Sequence, residues 1–246
     1  MTTTHISPEF TALLQSCGLK HVAIIMDGNR RWAKQKLLPG LVGHKKGVDA
    51  LRTLVRFGSD HGLQALTVFA FSTENWQRST EEVGYLMRLF VEALSLELAE
   101  LHRNNVQIRF IGELSGLPED LRKLIQSAHT TTATNTGLNL QIATNYGGRQ
   151  EITQAMQALG NDIAAGKLKP EDITEALIQS KLYTQDLPDL DLLIRTGGES
   201  RLSNYLLWQS AYAEFYVTET LWPDFSPAAF EKAVQSFAQR ERRYGQ

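Results

Sequence analysis

Cysteine is almost absent from this chain of 246 residues: Cys17 stands alone. No intrachain disulfide is possible, and no cysteine pair exists to build a zinc site. Long apolar runs are missing as well. Nowhere do about 18 consecutive apolar residues occur, so the sequence offers no membrane-spanning helix. The opening MTTTHISPEF lacks a basic region followed by an apolar stretch, so no secretory signal is visible and the default location is the cytoplasm. Nor is charge of one sign in excess: 25 Lys and Arg stand against 27 Asp and Glu, a formal balance of -2. That balance argues against nucleic acid as a partner, which normally shows as a basic face. It leaves room for a compact anionic ligand held by a few convergent arginines. Two familiar phosphate signatures, the GxxxxGKS/T loop and the GxGxxG fingerprint, are also missing.

What is there is an ordinary globular composition, 42% hydrophobic and 21% charged, in a chain long enough to bury a substantial core. Short apolar, β-branched runs recur at Val22–Met26, Ala65–Phe71, Val106–Ile111, Asn139–Ala143, Asp191–Ile194 and Phe215–Val217. They do not alternate strictly, as expected of strands buried on both faces. Amphipathic segments near 44–61, 80–103, 118–134, 149–165, 170–180 and 226–242 lie between and after them. Strand–helix alternation of this kind predicts an α/β fold with a mostly parallel central sheet of about six strands flanked by helices. There is no internal repeat and no Pro/Gly/Ser-rich linker. The chain therefore reads as one domain over 1–246, with 1–18 a flexible N-terminal segment.

The segment 79–103 carries its own signals. Ser79 and Glu82 have capping-box spacing. Val83, Leu86, Met87, Phe90, Val91, Leu94, Leu98 and Leu101 then fall on one helical face. About 24 helical residues span roughly 36 Å. Periodicity alone admits both a plain core helix and the wall of an elongated apolar cavity.

In an open α/β sheet, ligands bind beyond the carboxyl ends of the strands. Four expected strand ends run into polar or glycine-rich turns: Asp27-Gly28-Asn29-Arg30-Arg31-Trp32, Ser72 to Arg78, Asn145-Tyr146-Gly147-Gly148-Arg149, and Arg195 to Asn204. Asp27 directly follows an apolar strand and precedes a glycine and an asparagine that can begin a helix, a setting suited to a diphosphate. A carboxylate there repels phosphate unless a cation intervenes, and magnesium, usually held by one or two carboxylates plus phosphate oxygens, is the natural bridge. A simple turn or cap role for Asp27 fits the local sequence equally. Arg195 and Arg201 flank a Gly-Gly turn, where guanidinium forks and backbone amides both match phosphate oxygens, and Ser203 and Asn204 add donors. His44, Lys45 and Lys46 add further donors at a helix start, although a solvated face accounts for the lysines. The residues thus point to an α/β enzyme with an arginine-rich phosphate site and leave its substrate open.

The same stretches carry a resemblance. HVAIIMDGNRRWAK (21–34), GHKKG (43–47), TVFAFSTENWQRS (67–79), NTGLNLQIATNYGGR (135–149), DLLIRTGGESRLSNYLLWQSAYAEFYV (191–217), LWPDF (221–225) and RERRYG (240–245) resemble the motifs of the cis-prenyltransferase family, in family order and over nearly the whole chain. The bacterial undecaprenyl diphosphate synthases are the most similar members. The DDxxD pair of trans-type prenyl synthases is absent.

This resemblance implies a Mg²⁺-dependent enzyme that condenses isopentenyl diphosphate repeatedly with an allylic diphosphate, farnesyl diphosphate, to give undecaprenyl diphosphate for peptidoglycan synthesis. By the same resemblance Asp27 binds the metal and assists ionisation of the allylic carbon–oxygen bond. Gly28, Asn29, Arg30 and Arg31 hold the allylic diphosphate. Trp32, His44, Ser72, Thr73 and Glu74 line the substrate site. Asn75 assists proton removal, with Trp76 and Arg78 beside it. Arg195, Arg201 and Ser203, with the intervening Leu202, bind isopentenyl diphosphate. Glu214 matches a second magnesium-linked carboxylate contributed across a homodimer, and Arg243 and Gly245 match a C-terminal element that reaches the neighbouring subunit. A hydrophobic tunnel for the growing chain is implied, lined by Leu51, Val55, Val83, Leu86, Met87, Phe90 and Leu94, with Leu138 near its closed end. Transient membrane contact during product release is compatible with this picture.

The chain departs from the family at two places. Arg30 stands where many bacterial members have glycine, and the usual LPR reads Leu38-Pro39-Gly40, so a phosphate-facing arginine is missing at Gly40. Arg31, Arg78 or Lys36 are the candidates to compensate. Two competing readings are a non-catalytic lipid-binding partner subunit, expected to lack Asp27 and the arginine set, and an unrelated phosphohydrolase on a similar sheet.

Overall fold

The computed structural model describes residues 7–240. Helix α1 (Pro8–Cys17) precedes strand β1 (His21–Ile25), the short helix α2 (Asn29–Gln35) and the long helix α3 (Gly40–Asp60). There follow β2 (Ala65–Ser72), α4 (Thr80–Arg103), β3 (Gln107–Ile111), α5 (Glu119–Thr132), β4 (Asn139–Tyr146) and α6 (Gly148–Ala164). The chain ends with α7 (Glu175–Gln179), β5 (Leu192–Thr196), β6 (Glu214–Thr218) and α8 (Pro227–Ala238). The six strands form one sheet in the order β3-β4-β2-β1-β5-β6, with every neighbouring pair parallel. Each starts within one residue of its expected position.

Every residue of β1 and β5 is buried, because helices cover both faces of the sheet centre. The two-residue period sorts their side chains. Val22, Ile24, Leu192 and Ile194 join the larger core, with Leu54 of α3, Leu94 of α4, Leu121 of α5 and Phe230 of α8. Ala23, Ile25 and Leu193 face the other way, toward Tyr146, Tyr205 and Leu206. At the sheet edge, β6 alternates half-buried and exposed residues and leaves Phe215 and Val217 in the open.

Three expectations need correction. Within 1–18, expected to be flexible, residues 8–17 form α1, capped by the Ser7 side chain. Its Phe10 is buried against Phe57, His61 and Phe230. Two buried side chains in a ten-residue helix make too weak a period to stand out in sequence. The expected helix at 170–180 divides into a 3-10 turn (Pro170–Asp172) and the short α7, capped by Thr174. Helix α3 begins at Gly40 rather than near 44, its first turn carrying no apolar repeat to announce it. At the start of α4, Ser79 Oγ accepts from the Glu82 N–H at 3.2 Å, the forward arm of the anticipated capping box. Among the described residues no helix is long and apolar enough to cross a membrane.

Chain direction positions the site. From β1 the chain moves to β2, and from β5 it moves the opposite way to β6, so β1 and β5 are neighbours whose connections diverge. A crevice opens at their carboxyl ends, where Asp27 follows β1 and Arg195 is the last residue but one of β5.

Candidate active site

The turn after β1 is clamped from both sides. The Asp27 carbonyl accepts from the Trp222 N–H (3.0 Å) and the Thr196 hydroxyl (2.7 Å). Gly28 turns the chain at φ 112, and a Cβ there would stand 2.8 Å from Leu221 Cδ2, so glycine is required on both counts. The Asp27 carboxylate is thereby aimed at two guanidinium groups. Arg195 Nη2 donates to Oδ2 at 2.8 Å, and Arg31 Nη2 lies 3.2 Å from Oδ1. Arg195 is only 5% exposed, and its Nη1 donates to the Arg201 carbonyl (2.6 Å) and Ser203 Oγ (2.8 Å). Its Nε is buried without a partner. Arg31 is further held by donation to the Gly197 carbonyl at 2.7 Å.

The opposite wall comes from the 3-10 turn after β2 (Thr73–Gln77) and the start of α4. The Ser72 N–H donates to Asn75 Oδ1 at 3.1 Å, fixing the Asn75 amide. Burial raises the Glu74 carboxyl, but hydrogen bonds from Asn204, its own backbone, Ser72 and Thr73 outweigh this and leave it below its ordinary value. Glu82 gathers three basic side chains: Arg78 at 3.0 Å, Arg30 at 3.6 Å and His44 Nε2 at 3.7 Å. The His44 contact is not an ion pair. Burial, with Arg78 beside it, lowers the imidazole to about 4, so it is neutral at pH 7. Each arginine here rests on a carboxylate: Arg195 and Arg31 on Asp27, Arg78 and Arg30 on Glu82, Arg201 on Glu199. The carboxylates fix the orientation of the guanidinium groups.

Asp27, Asn29, His44, Ser72, Glu74, Asn75, Arg78, Arg195, Arg201 and Ser203 all line one polar pocket. An apolar cavity adjoins it between α3, α4 and the sheet, lined among others by Leu51, Val55, Leu86, Leu89, Phe90, Ala93 and Leu94. Met26, Asn29, His44, Ala70 and Leu86 line both, so the two share a wall.

Other expected residues fall elsewhere. Trp32 donates to Asp224, Trp76 to Asn145, and Thr73 to Glu74, none of them lining the pocket. Leu202 lines a separate hollow with Phe215 and Val217. Met87 and Leu138 are buried in the core and Val83 packs against it, outside the cavity lining; Met87 lies about 100° around the helix from Leu86. Arg30 lies over Gly40, where a Cβ would meet its Cγ at 3.7 Å, whereas Arg31 and Arg78 are committed to Asp27 and Glu82. Glu214 opens β6 at the amino end of the sheet, paired with Leu192 and bonded by Arg240 at 2.6 Å. One chain therefore does not bring it to Asp27, which lies past the opposite end. Arg243 and Gly245 lie outside the described residues. The roles of Glu82 as a shared anchor and of Asn204 as a link to Glu74 escaped the sequence reading, which had Glu82 only as a cap partner of Ser79 and Asn204 only as a donor near Arg195.

Among the described residues no three His, Cys, Asp or Glu side chains converge as a metal cage. A hard cation shared between Asp27 and phosphate oxygens needs no cage, and the Asp27 side chain is 29% exposed toward the pocket. Arginines in a polar pocket beside an apolar cavity suit a molecule with a phosphorylated head and a hydrocarbon tail.

The comparisons agree with that class. Residues 25–245 match the prenyltransferase family described as "Putative undecaprenyl diphosphate synthase". The ditrans,polycis-undecaprenyl-diphosphate synthase ((2E,6E)-farnesyl-diphosphate specific) of Aliivibrio fischeri is 51% identical over 243 residues, covering 99% of this chain and 94% of that one. Lavandulyl diphosphate synthase from Lavandula x intermedia, solved with dimethylallyl diphosphate, superposes with a TM-score of 0.91 at 37% identity, covering 94% of this chain and 100% of that chain. A probable undecaprenyl diphosphate synthase from Campylobacter jejuni has a TM-score of 0.77 at 35% identity, covering 93% and 99%. The chain belongs to the undecaprenyl diphosphate synthase family of prenyltransferases.

Proposed function

We propose that this protein is a cis-prenyltransferase that extends farnesyl diphosphate with successive isopentenyl diphosphate units to undecaprenyl diphosphate, the lipid carrier precursor for peptidoglycan. The observation that carries this is the apolar cavity set directly beside the arginine-lined pocket, the two sharing Met26, Asn29, His44, Ala70 and Leu86. A phosphohydrolase of simple esters has no use for the second compartment.

In each cycle the allylic carbon–oxygen bond breaks, a carbon–carbon bond forms to isopentenyl diphosphate, a proton leaves and diphosphate is released. Two diphosphates close together repel strongly. Arg195, Arg201 and Ser203 offset this for isopentenyl diphosphate, while Asn29, Arg30 and Arg31 do so for the allylic diphosphate. Mg²⁺, held by Asp27, supplies charge stabilisation for the departing diphosphate when bound. The amide of Asn75 is a weak base pinned by the Ser72 N–H, so it orients the leaving proton toward a diphosphate oxygen. Holding both reactants in one pocket removes much of the entropic barrier. The growing chain passes between α3 and α4. Neutral His44 sits at the junction, where a charged ring would oppose entry of hydrocarbon.

A homodimer through the β6 edge, where Phe215 and Val217 are exposed, is the arrangement in which Glu214 would serve a partner's site. A cytoplasmic enzyme with transient membrane contact at product release completes the reading. The test is incorporation of labelled isopentenyl diphosphate with farnesyl diphosphate, with and without Mg²⁺, in wild type and Asp27→Ala. Magnesium-dependent long-chain product that falls by at least about 10²-fold in the variant is expected. A folded wild type that makes none refutes the proposal.

A further inference from the structure

The segment Ser203–Leu206 is unusual in backbone. Ser203 (φ 51), Asn204 (φ 62) and Leu206 (φ 42) are all left-handed without being glycine. Such a conformation persists only where surroundings enforce it. Behind it, Tyr205 and Leu206 are fully buried among the aromatic rings under the sheet. In front, Asn204 bonds in three directions. Its carbonyl accepts from the Gly148 N–H at 2.7 Å, and its Oδ1 accepts from the Arg149 N–H at 2.9 Å. Its Nδ2 donates to Glu74 Oε1 at 3.0 Å. One side chain and its own carbonyl thus join three turns: that after β5, that after β4, and that after β2.

The turn after β4 is shaped to receive it. A Cβ on Gly147 would stand 2.8 Å from Asn204 Nδ2 and 2.9 Å from Thr73 Oγ1. One on Gly148 would stand 3.1 Å from the Asn204 carbonyl. Gly147 has φ -149, a conformation open to any residue, so glycine is present there for space. The adjacent Ser203 accepts from the buried Arg195, and Arg201 presents its carbonyl to the same guanidinium. Whatever holds Asn204 therefore holds the donor set around Arg195.

We propose that Asn204, seated on the Gly147-Gly148 turn and tied to Glu74, is a positioning residue that sets the Arg195–Arg201–Ser203 cradle in register with the turn carrying Asn75. This rests on the reading that the cradle receives isopentenyl diphosphate. The clasp holds the diphosphate of that substrate so that its double bond faces the allylic carbon, and it acts on the second substrate rather than the first.

The test uses the full chain and the variants Asn204→Ala, Asn204→Gly and Gly147→Ala. Glycine accepts the left-handed φ freely, so Asn204→Gly separates loss of the side chain from backbone strain. Gly147→Ala displaces the Asn204 side chain from the clasp without changing its chemistry. KM for isopentenyl diphosphate is measured at saturating farnesyl diphosphate and the converse. Thermal midpoints and the Kd for inorganic pyrophosphate are read on the same preparations. The expected result is a rise of roughly tenfold in KM for isopentenyl diphosphate and in the pyrophosphate Kd in all three variants. KM for farnesyl diphosphate stays within about twofold, and all three variants remain folded at assay temperature. Unchanged constants in Asn204→Gly, or equal losses for both substrates alongside a collapsed midpoint, overturn the clasp. A wild type that binds pyrophosphate but elongates nothing overturns the proposed function instead, and the Kd series still decides the clasp.

Discussion

Replacing Arg195 by lysine preserves charge and tests whether the site depends on the geometry of the guanidinium. In the native structure Arg195 makes three charge-assisted hydrogen bonds, to Asp27 Oδ2 (2.8 Å), the Arg201 carbonyl (2.6 Å) and Ser203 Oγ (2.8 Å). They leave from two different nitrogens on a group that is 5% exposed. A lysine ammonium is a single point on a shorter stem and keeps at most the pairing with Asp27. Losing two such bonds at about 1.5 kcal/mol each weakens the site by about 3 kcal/mol. If that loss falls on the transition state, kcat/KM drops roughly 10²-fold. The assay is steady-state incorporation of labelled isopentenyl diphosphate, with urea unfolding on the same samples to separate activity from stability. A variant within threefold of wild type in kcat/KM refutes the view that the fork organises the cradle. A variant that is inactive because it is unfolded shows up in the denaturation curve.

Two further outcomes follow from the structure. His21 is buried between the Pro188 carbonyl and Thr67, and burial lowers its imidazole from 6.5 to about 4 despite the nearby Asp191 and Asp189. The unfolded chain binds this proton more readily, so stability is full above pH 6.5 and is lost as pH falls toward 4. The loss amounts to about 3 kcal/mol for this group. Urea midpoints of wild type and His21→Gln at pH 7 and 4.5 check this; equal drops in both proteins contradict the assignment. Ala93 lines the apolar cavity between α3 and α4, and Ala93→Phe fills space that the proposed function assigns to hydrocarbon. The expected result is shorter product at near-normal single-step kinetics, read by chromatography of dephosphorylated prenols. Unchanged product length removes this cavity as the path of the chain.

The strands were readable because most are buried on both faces, and a continuous run such as Ala65–Phe71, too short for a core helix and set between helical patterns, fits a central strand. Their ends supplied the site for a related reason: an apolar strand that stops at Asp27 or Arg195 must turn where the sheet meets solvent. The long face of α4 was equally plain. Sequence did not distinguish Leu86, which lines the cavity, from its neighbour Met87, which is buried in the core. Helix α1 went unread because its burial depends on Phe57 and Phe230, distant in sequence.

By itself, the amino-acid sequence determined the six strands, the long helices between them, the parallel sheet, the family and most of the pocket's cast. These rest on local periodicity and contiguous motifs. Tertiary structure alone decided the pairings. It set Arg195 and Arg31 on Asp27, gave Glu82 three basic neighbours, laid Arg30 over Gly40, and put Glu214 at the far end of the sheet. It also brought Asn204 to Glu74 across 130 positions of sequence. The physical reason is the same throughout. Strand and helix formation answer to neighbours a few residues away, whereas an ion pair or a cap between turns depends on which strand ends the sheet order makes adjacent.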